Sequence, residues 1–223
     1  MAAGRLLDGA LAEEAVEVAT LTFEPARHVY HLDGERLPSV TQILQPLINY
    51  DGVPNGILQH AADRGTAVHL ATEFWDDGDL DEESVDPEIL PYVRAWQRFR
   101  AESGFEVLRS EVRVYSPRHR YAGTVDCIGV MRGRLTMVEK KTTAVLHPAT
   151  AIQVAAYRRA YNETCAAPAR IRHSYSVHLR RDGTYRLDEW TPDEDHWAVF
   201  LALLNPDHSE SAATLAAWKA KYL

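Results

Sequence analysis

The sequence predicts an α/β protein in which a mixed β-sheet is flanked by helices. Three observations carry that prediction. The hydrophobic period changes along the chain, from helical spacing over much of 56–104 to three successive β-type runs over 105–142. An Ala-rich helical stretch at 148–164 then separates those runs from two further β segments. The resulting order, helix, three strands, helix, strand, differs from the repeating βαβ units of a purely parallel sheet.

Near the start, LTFEPARHVYHLDGERL alternates polar and apolar residues around Asp33-Gly34, which is a hairpin signal. Ser39 then stands as the N-cap of a helix in PSVTQILQPLI. Leu58, Ala61, Val68, His69 and Thr72 recur at helical spacings over about 56–75. Asp86-Pro87 opens a second helix, whose apolar stripe runs through Ile89, Tyr92, Val93, Trp96 and Phe99 to a stop at Gly104. Strands follow at about 105–115, 121–131 and 134–142. Pro148 starts a helix that reaches about Thr164, and its small side chains permit close approach to a sheet. Strands at about 171–180 and 184–190 flank the Asp182-Gly183 turn, and the C-terminal stretch returns to helix between Pro192 and Pro206 and beyond. One domain over 1–223 is expected, with the hairpin and first helix at about 20–48, a core at about 56–190 and C-terminal helices at about 191–223.

With 223 residues, 46% hydrophobic and 25% charged, the chain can bury a substantial core. No apolar run reaches the roughly 18 residues of a membrane span, and the N-terminal acids Asp8, Glu13 and Glu14 do not suit a signal peptide. A soluble, unexported protein is expected. Cys127 and Cys165 supply neither a disulfide framework nor the four thiolates of an iron–sulfur cluster, which fits a reducing cytoplasm. GRLLDGA and RGTAVH lack the glycines and Gly-Lys-Ser/Thr of a phosphate loop, which argues against a nucleotide-fuelled enzyme. The net charge of −8 is unevenly placed. Residues 76–88 hold eight acids and no base, most simply a solvated loop, while 109–186 hold 15 Lys and Arg against five acids. The basic half suits either a solvated surface or a nucleic-acid partner.

The mostly apolar strands at 121–142 carry Asp126 at one point and Glu139, Lys140 and Lys141 at another. Alternation puts Leu135, Met137, Glu139 and Lys141 on one face, with Thr136, Val138 and Lys140 on the other. It also puts Asp126 with Thr124, Ile128 and Val130, and a hairpin can place that carboxylate across from Glu139. Two hard oxygen ligands suit Mg²⁺ or Mn²⁺, and an ammonium one pleat away can orient a water. A simple Glu139–lysine salt bridge reads the same residues equally well. Gln153 and Tyr157, at i and i+4 with Tyr161 beside them, are placed to contact a phosphate or a stacked base. A neutral His69 suits a further metal ligand, though a lone helical histidine is more often structural.

Five short motifs follow one another over this stretch: RGTAVH at 64–69, SEVRVY at 110–115, GTVD at 123–126, EKKT at 139–142 and QVAAY at 153–157. In order and spacing they resemble the PD-(D/E)XK nuclease superfamily, and within it the RecB-like branch; VYHLDGERLPSVTQIL looks like the start of phage-encoded members. The resemblance covers about half of the chain and leaves the last 45 residues unassigned. It implies a restriction-endonuclease-like αβββαβ core and metal-dependent phosphodiester hydrolysis in DNA recombination, repair or replication. Asp126, Glu139 and the main-chain carbonyl of Lys140 would bind Mg²⁺ or Mn²⁺, with His69 as a further ligand. Lys141 would position the attacking water, and Asp126, Glu139 and Lys141 would form the catalytic set. Glu111 would assist through water or a second metal, and it joins Arg64, Gln153 and Tyr157 on the substrate side. Lys140 stands where the family usually has an apolar residue, so its side chain is expected to point away, toward DNA or solvent. The four cysteines of iron–sulfur relatives are absent, so no cluster is expected.

The substrate implied is single-stranded DNA or duplex ends, without a membrane, in a bacterial or phage-infected cytoplasm; a second copy of the chain or a recombination or replication protein would be a further partner. The leading reading is an exonuclease acting on a free end. A structure-selective or site-specific endonuclease uses the same chemistry, and a nuclease-derived DNA-binding or assembly subunit would keep the fold alone.

Overall fold

The turn at Asp33-Gly34 forms where the sequence puts it. In the computed structural model, which describes residues 19–192 and 194–223, strands β1 (Leu21–Glu24), β2 (Val29–Leu32) and β3 (Glu35–Leu37) make a small antiparallel sheet. Asp33 and Gly34 both have positive φ, 51° and 83°, the left-handed pair that a type I′ hairpin requires. Tyr30, Leu32 and Leu37 are buried together with Ala122. Ser39 caps α1 (Val40–Leu44) through a complete capping box with Gln42. The acids Asp8, Glu13 and Glu14 and the stretch GRLLDGA lie outside the described residues.

Helix α2 (Asn55–Asp77) closes on Gly78, and α3 (Leu90–Ser103) closes on Gly104, both glycines left-handed. Asp86-Pro87 starts a turn that leads into α3 instead of opening the helix itself, with the Asp86 carboxylate accepting the Glu88 N–H at 2.7 Å. The acidic run is largely solvated, with Asp77, Asp79, Asp81, Glu82, Glu83 and Asp86 exposed, but part of it is helical and engaged. Asp76 is buried against Arg100 and accepts the Trp96 indole N–H, while Asp81 caps a short 3₁₀ turn. These acids join the end of α2 to α3.

The main sheet runs β4 (Glu106–Ser116), β5 (Tyr121–Met131), β6 (Arg134–Lys141), β7 (His173–Leu179), β8 (Tyr185–Glu189), in that spatial order. Every neighbouring pair is antiparallel except β6 and β7. That one parallel pair needs a crossover, which α4 (Ala149–Thr164) supplies. The fold is therefore the expected mixed α/β arrangement, with helices on both faces. Trp96 and Phe99 of α3 pack with Val138 and Val177 on one side. On the other, α1 and α4 cover Val125, Ile128 and Met137. Alanines 149, 151, 155, 156 and 160 are all buried in α4. The approach is closest at Gly123, where a Cβ would lie 2.4 Å from the Tyr157 ring.

The C-terminal residues, which the motifs leave unassigned, complete this second layer. Helices α5 (Glu194–Leu204) and α6 (Ser211–Tyr222) bring Trp197, Phe200 and Trp218 into the core. Trp197 stacks on Phe200 at 5.6 Å between ring centroids, and Phe200 meets Tyr121 edge-on at 4.8 Å. No described helix is long and apolar enough to cross a membrane.

Candidate functional site

Strict alternation fails in β5 at Asp126. Val125 and Ile128 both face the layer of α4, whereas Cys127 between them faces α3. The face expected for Asp126, shared with Ile128 and Val130, is therefore replaced by a local irregularity. Its partner across the strand pair is Glu111, which lies between the pairs Ser110–Cys127 and Val112–Val125 and has a left-handed φ of 47°. A non-glycine residue in that region inside a strand is uncommon and bends the strand locally. On the other edge, the β5–β6 ladder ends at Cys127–Val138. The Asp126 carboxylate enters the gap beyond that pair and accepts the Lys140 N–H at 2.6 Å. The N–H and C=O of one strand residue point to the same edge, so the Lys140 carbonyl opens on the same gap.

His69 of α2 completes a cluster here. Its Nδ1 lies 3.2 Å from Asp126 Oδ1, and ligand atoms of His69, Glu111 and Asp126 all lie within 4.8 Å of one another. Glu139 stands beside this trio with its first oxygen engaged. Oε1 accepts from Lys141 Nζ at 2.8 Å and from Gln153 Nε2 at 2.9 Å. Oε2 is buried and has no hydrogen-bond partner. Burial, reinforced by the Asp126 charge, pushes the Glu139 carboxyl up to about 7. Burial also acts upward on Asp126, but the adjacent His69 and the two lysines outweigh it and bring that carboxyl down to about 2. Burial lowers the His69 value, and Asp126 more than reverses this, leaving the imidazole above its ordinary pKa.

An unpartnered buried carboxylate oxygen costs on the order of 1–3 kcal/mol, and the nearby donors suggest what would relieve it. Carboxylates, one imidazole and a main-chain carbonyl form a hard donor set suited to Mg²⁺ or Mn²⁺. His69, Glu111 and Asp126 thus lie close enough to share a divalent cation, with Glu139 and the Lys140 main chain adjoining Asp126. The strained Glu111 backbone gives a test. Glu111→Gly should raise stability by about 0.5–1 kcal/mol by relaxing the left-handed position, yet weaken Mn²⁺ binding at least about tenfold. Glu111→Ala should weaken Mn²⁺ equally without the gain in stability. Thermal melts and calorimetric titration of both variants check this.

Other expected site residues have different surroundings from those the sequence suggests. The Lys140 side chain reaches neither solvent nor an open surface. It is 1% exposed, donates to Thr72 Oγ1 at 2.8 Å, and lies 5.2 Å from the centre of the Trp96 ring. The layer of α2 and α3 covers that face of the sheet, so the outward orientation toward DNA or solvent is corrected. Gln153 and Tyr157 are buried. Gln153 Nε2 also lies 3.1 Å from the Tyr157 hydroxyl, so both residues support Glu139 from behind, and Gln153 at the same time lines the groove beside Lys141. Arg64 is turned toward the acidic run, with its guanidinium 3.6 Å from Glu88 and over the Tyr92 ring. Thr72 and Tyr50 also adjoin the site, at Lys140 and Lys141 respectively. Thr72 follows His69 by three residues, a spacing that marks one helix face. Tyr50 borders a groove of about 420 Å³ shared with Lys141, His147 and Gln153, and no local pattern announces it.

No protein-family model matches the chain, and no curated protein matches it. Among solved structures, the chain is similar to an alkaline exonuclease (LHK-Exo) from Laribacter hongkongensis, with 15% identity over 57% of this chain and 68% of that one and a TM-score of 0.39. It is also similar to LHK-Exo in complex with dAMP, with 16% identity over 83% of this chain and 92% of that one and a TM-score of 0.37.

Proposed function

We propose that the chain is a metal-dependent nuclease that hydrolyses DNA phosphodiester bonds inward from a free end. The observation that carries this reading is the gap between β5 and β6, where Asp126 accepts the Lys140 N–H and the unpartnered Glu139 oxygen stands beside a His69–Glu111–Asp126 cluster. In this reading His69, Asp126, Glu139 and the Lys140 carbonyl hold Mg²⁺ or Mn²⁺. The cation, when bound, supplies Lewis-acid charge against the scissile phosphate. Lys141 contributes the adjacent ammonium. The surrounding carboxylates hold its pKa above the ordinary lysine value despite burial, so it stays cationic, orients the attacking water and offsets charge developing on the phosphoryl oxygens. Gln153 fixes Glu139, and Tyr157 braces Gln153.

The groove beside Lys141, with Tyr50 half exposed on its wall, sets one aromatic ring and an ammonium among apolar residues, a combination on which a base can stack beside its phosphate. The excess of bases over 109–186 supports a polyanionic substrate. The acid-rich end of α2 lies about 12 Å along the helix from His69 and disfavours phosphates on that side, which favours entry of an end over side-on docking of a duplex. End-labelled linear, single-stranded and covalently closed circular DNA, digested at matched Mg²⁺ and salt, test the reading. Linear DNA should be shortened, with preference for single-stranded or frayed termini, while closed circles are attacked very slowly. Circles nicked as fast as linear DNA is shortened would replace it with an endonuclease using the same residues. Binding of both without cleavage would favour a DNA-binding or assembly subunit.

A further inference from the structure

We propose that Lys140 is a positioning residue: together with Thr72 it holds the His69 helix in register with Asp126, and so sets the affinity of the site for a divalent cation. This rests on the metal-site reading above. Four contacts form a closed ring through three elements. The Lys140 N–H binds Asp126 Oδ2 at 2.6 Å, and Asp126 Oδ1 lies 3.2 Å from His69 Nδ1. The Thr72 hydroxyl donates to the His69 carbonyl at 2.9 Å and accepts from Lys140 Nζ at 2.8 Å. One residue of β6 thereby grips both members of the His69–Asp126 pair, with its main chain on one side and its side chain on the other.

Helix α2 needs such a grip. Of its 23 residues only Val68, Ala71 and Thr72 are buried, so little apolar surface fixes its slide or rotation against the sheet. Thr72 and Trp96 are fully buried beside the ammonium, and the indole face takes part of its charge at 5.2 Å. A buried charge is seldom the most stable occupant of such a place. Apolar residues of similar volume often serve stability equally well or better, so this lysine is better explained by the geometry it imposes. Groups that orient metal ligands from behind commonly change metal affinity 10–100-fold.

The test uses the full chain, with Mn²⁺ affinity by calorimetry, thermal melting and DNA cleavage as readouts. Lys140→Met and Thr72→Val should each bind Mn²⁺ at least about tenfold more weakly, while Thr72→Ser, which keeps the hydroxyl, should match the wild type. The double variant Lys140→Met/Thr72→Val leaves no unpaired polar group at the junction. It should melt at or above the wild-type temperature and still bind Mn²⁺ weakly. Wild-type Mn²⁺ affinity in the double variant would overturn the proposal, as would weakening in Thr72→Ser equal to that in Thr72→Val. The nuclease reading fails separately: a wild-type chain that binds Mn²⁺ and cuts no DNA sinks it, while the affinity comparison still decides the role of Lys140. A wild-type chain that does not bind Mn²⁺ overturns both.

Discussion

Asp126→Ala and Glu139→Ala should each slow DNA cleavage at least about a hundredfold, equivalent to roughly 2.7 kcal/mol of barrier, and EDTA should abolish cleavage by the wild type. Asp126 spans the gap between β5 and β6 and also meets His69. Glu139 carries the buried oxygen without a partner. On the proposed metal-site reading, removing either takes a hard oxygen donor from the cation. The same groups set how the metal-free protein responds to pH. Glu139 is held up to about 7 in the fold, against 4.5 for an ordinary glutamate, so folding is progressively disfavoured as pH rises from about 4.5 to 7. His69 is raised above 6.5 by Asp126; its stabilising contribution is complete below that value and is lost as pH climbs through its folded pKa. The depressed value of Asp126 matters only below 3.8. Melting of the metal-free chain should therefore occur at lower temperature at pH 8 than at pH 5, and Mn²⁺ affinity should increase over the same interval, because binding needs both groups deprotonated. Rapid cleavage by either alanine variant, or a metal-free chain more stable at pH 8, would contradict the assignment.

Lys141→Ala should lose cleavage by at least about a hundredfold while retaining DNA binding. Lys141 Nζ is one of two donors to the engaged oxygen of Glu139, and its side chain remains about one-fifth exposed toward the groove. It is thus placed to act on a water without being the main anchor for a strand. Its neighbour should behave differently. Lys140→Ala removes a buried stem from between Thr72 and Trp96, leaving a cavity and taking one of two partners from the Thr72 hydroxyl, so it should lower the melting temperature by an amount matching about 2–4 kcal/mol. Single-turnover cleavage, fluorescence anisotropy with labelled DNA over a salt series, and thermal melts separate the two lysines. A Lys140→Ala chain with a wild-type melt and salt-dependent loss of DNA binding would return that side chain to the surface. An active Lys141→Ala chain would remove the ammonium from the mechanism.

Much of this arrangement is legible in local sequence. Asp33-Gly34, the Ser39 cap and the stop at Gly104 depend on residues a few positions apart, and each forms as its local chemistry requires. The two-residue alternation of β6 likewise puts Glu139 and Lys141 on one side and Lys140 on the other. The mixed order of elements follows from the same periodicities. Their scale is the single helix turn or pleat, where steric and hydrogen-bonding preferences act without the rest of the chain.

What surrounds each of those residues was decided by the tertiary structure. Asp126 leaves strict alternation because Glu111, on a different strand, adopts a left-handed backbone opposite it and because the β5–β6 ladder stops one pair earlier. The sequence alone correctly put Lys140 on the opposite face, yet only the docking of α2 and α3 turned that face from a surface into a buried junction. Arg64 meets Glu88, 24 residues away in the sequence, and Gln153 meets Glu139 across the crossover. Alternation is a property of one strand and can be read from its residues. The partner of a charge depends on which element covers it, and long-range register and packing choose that element.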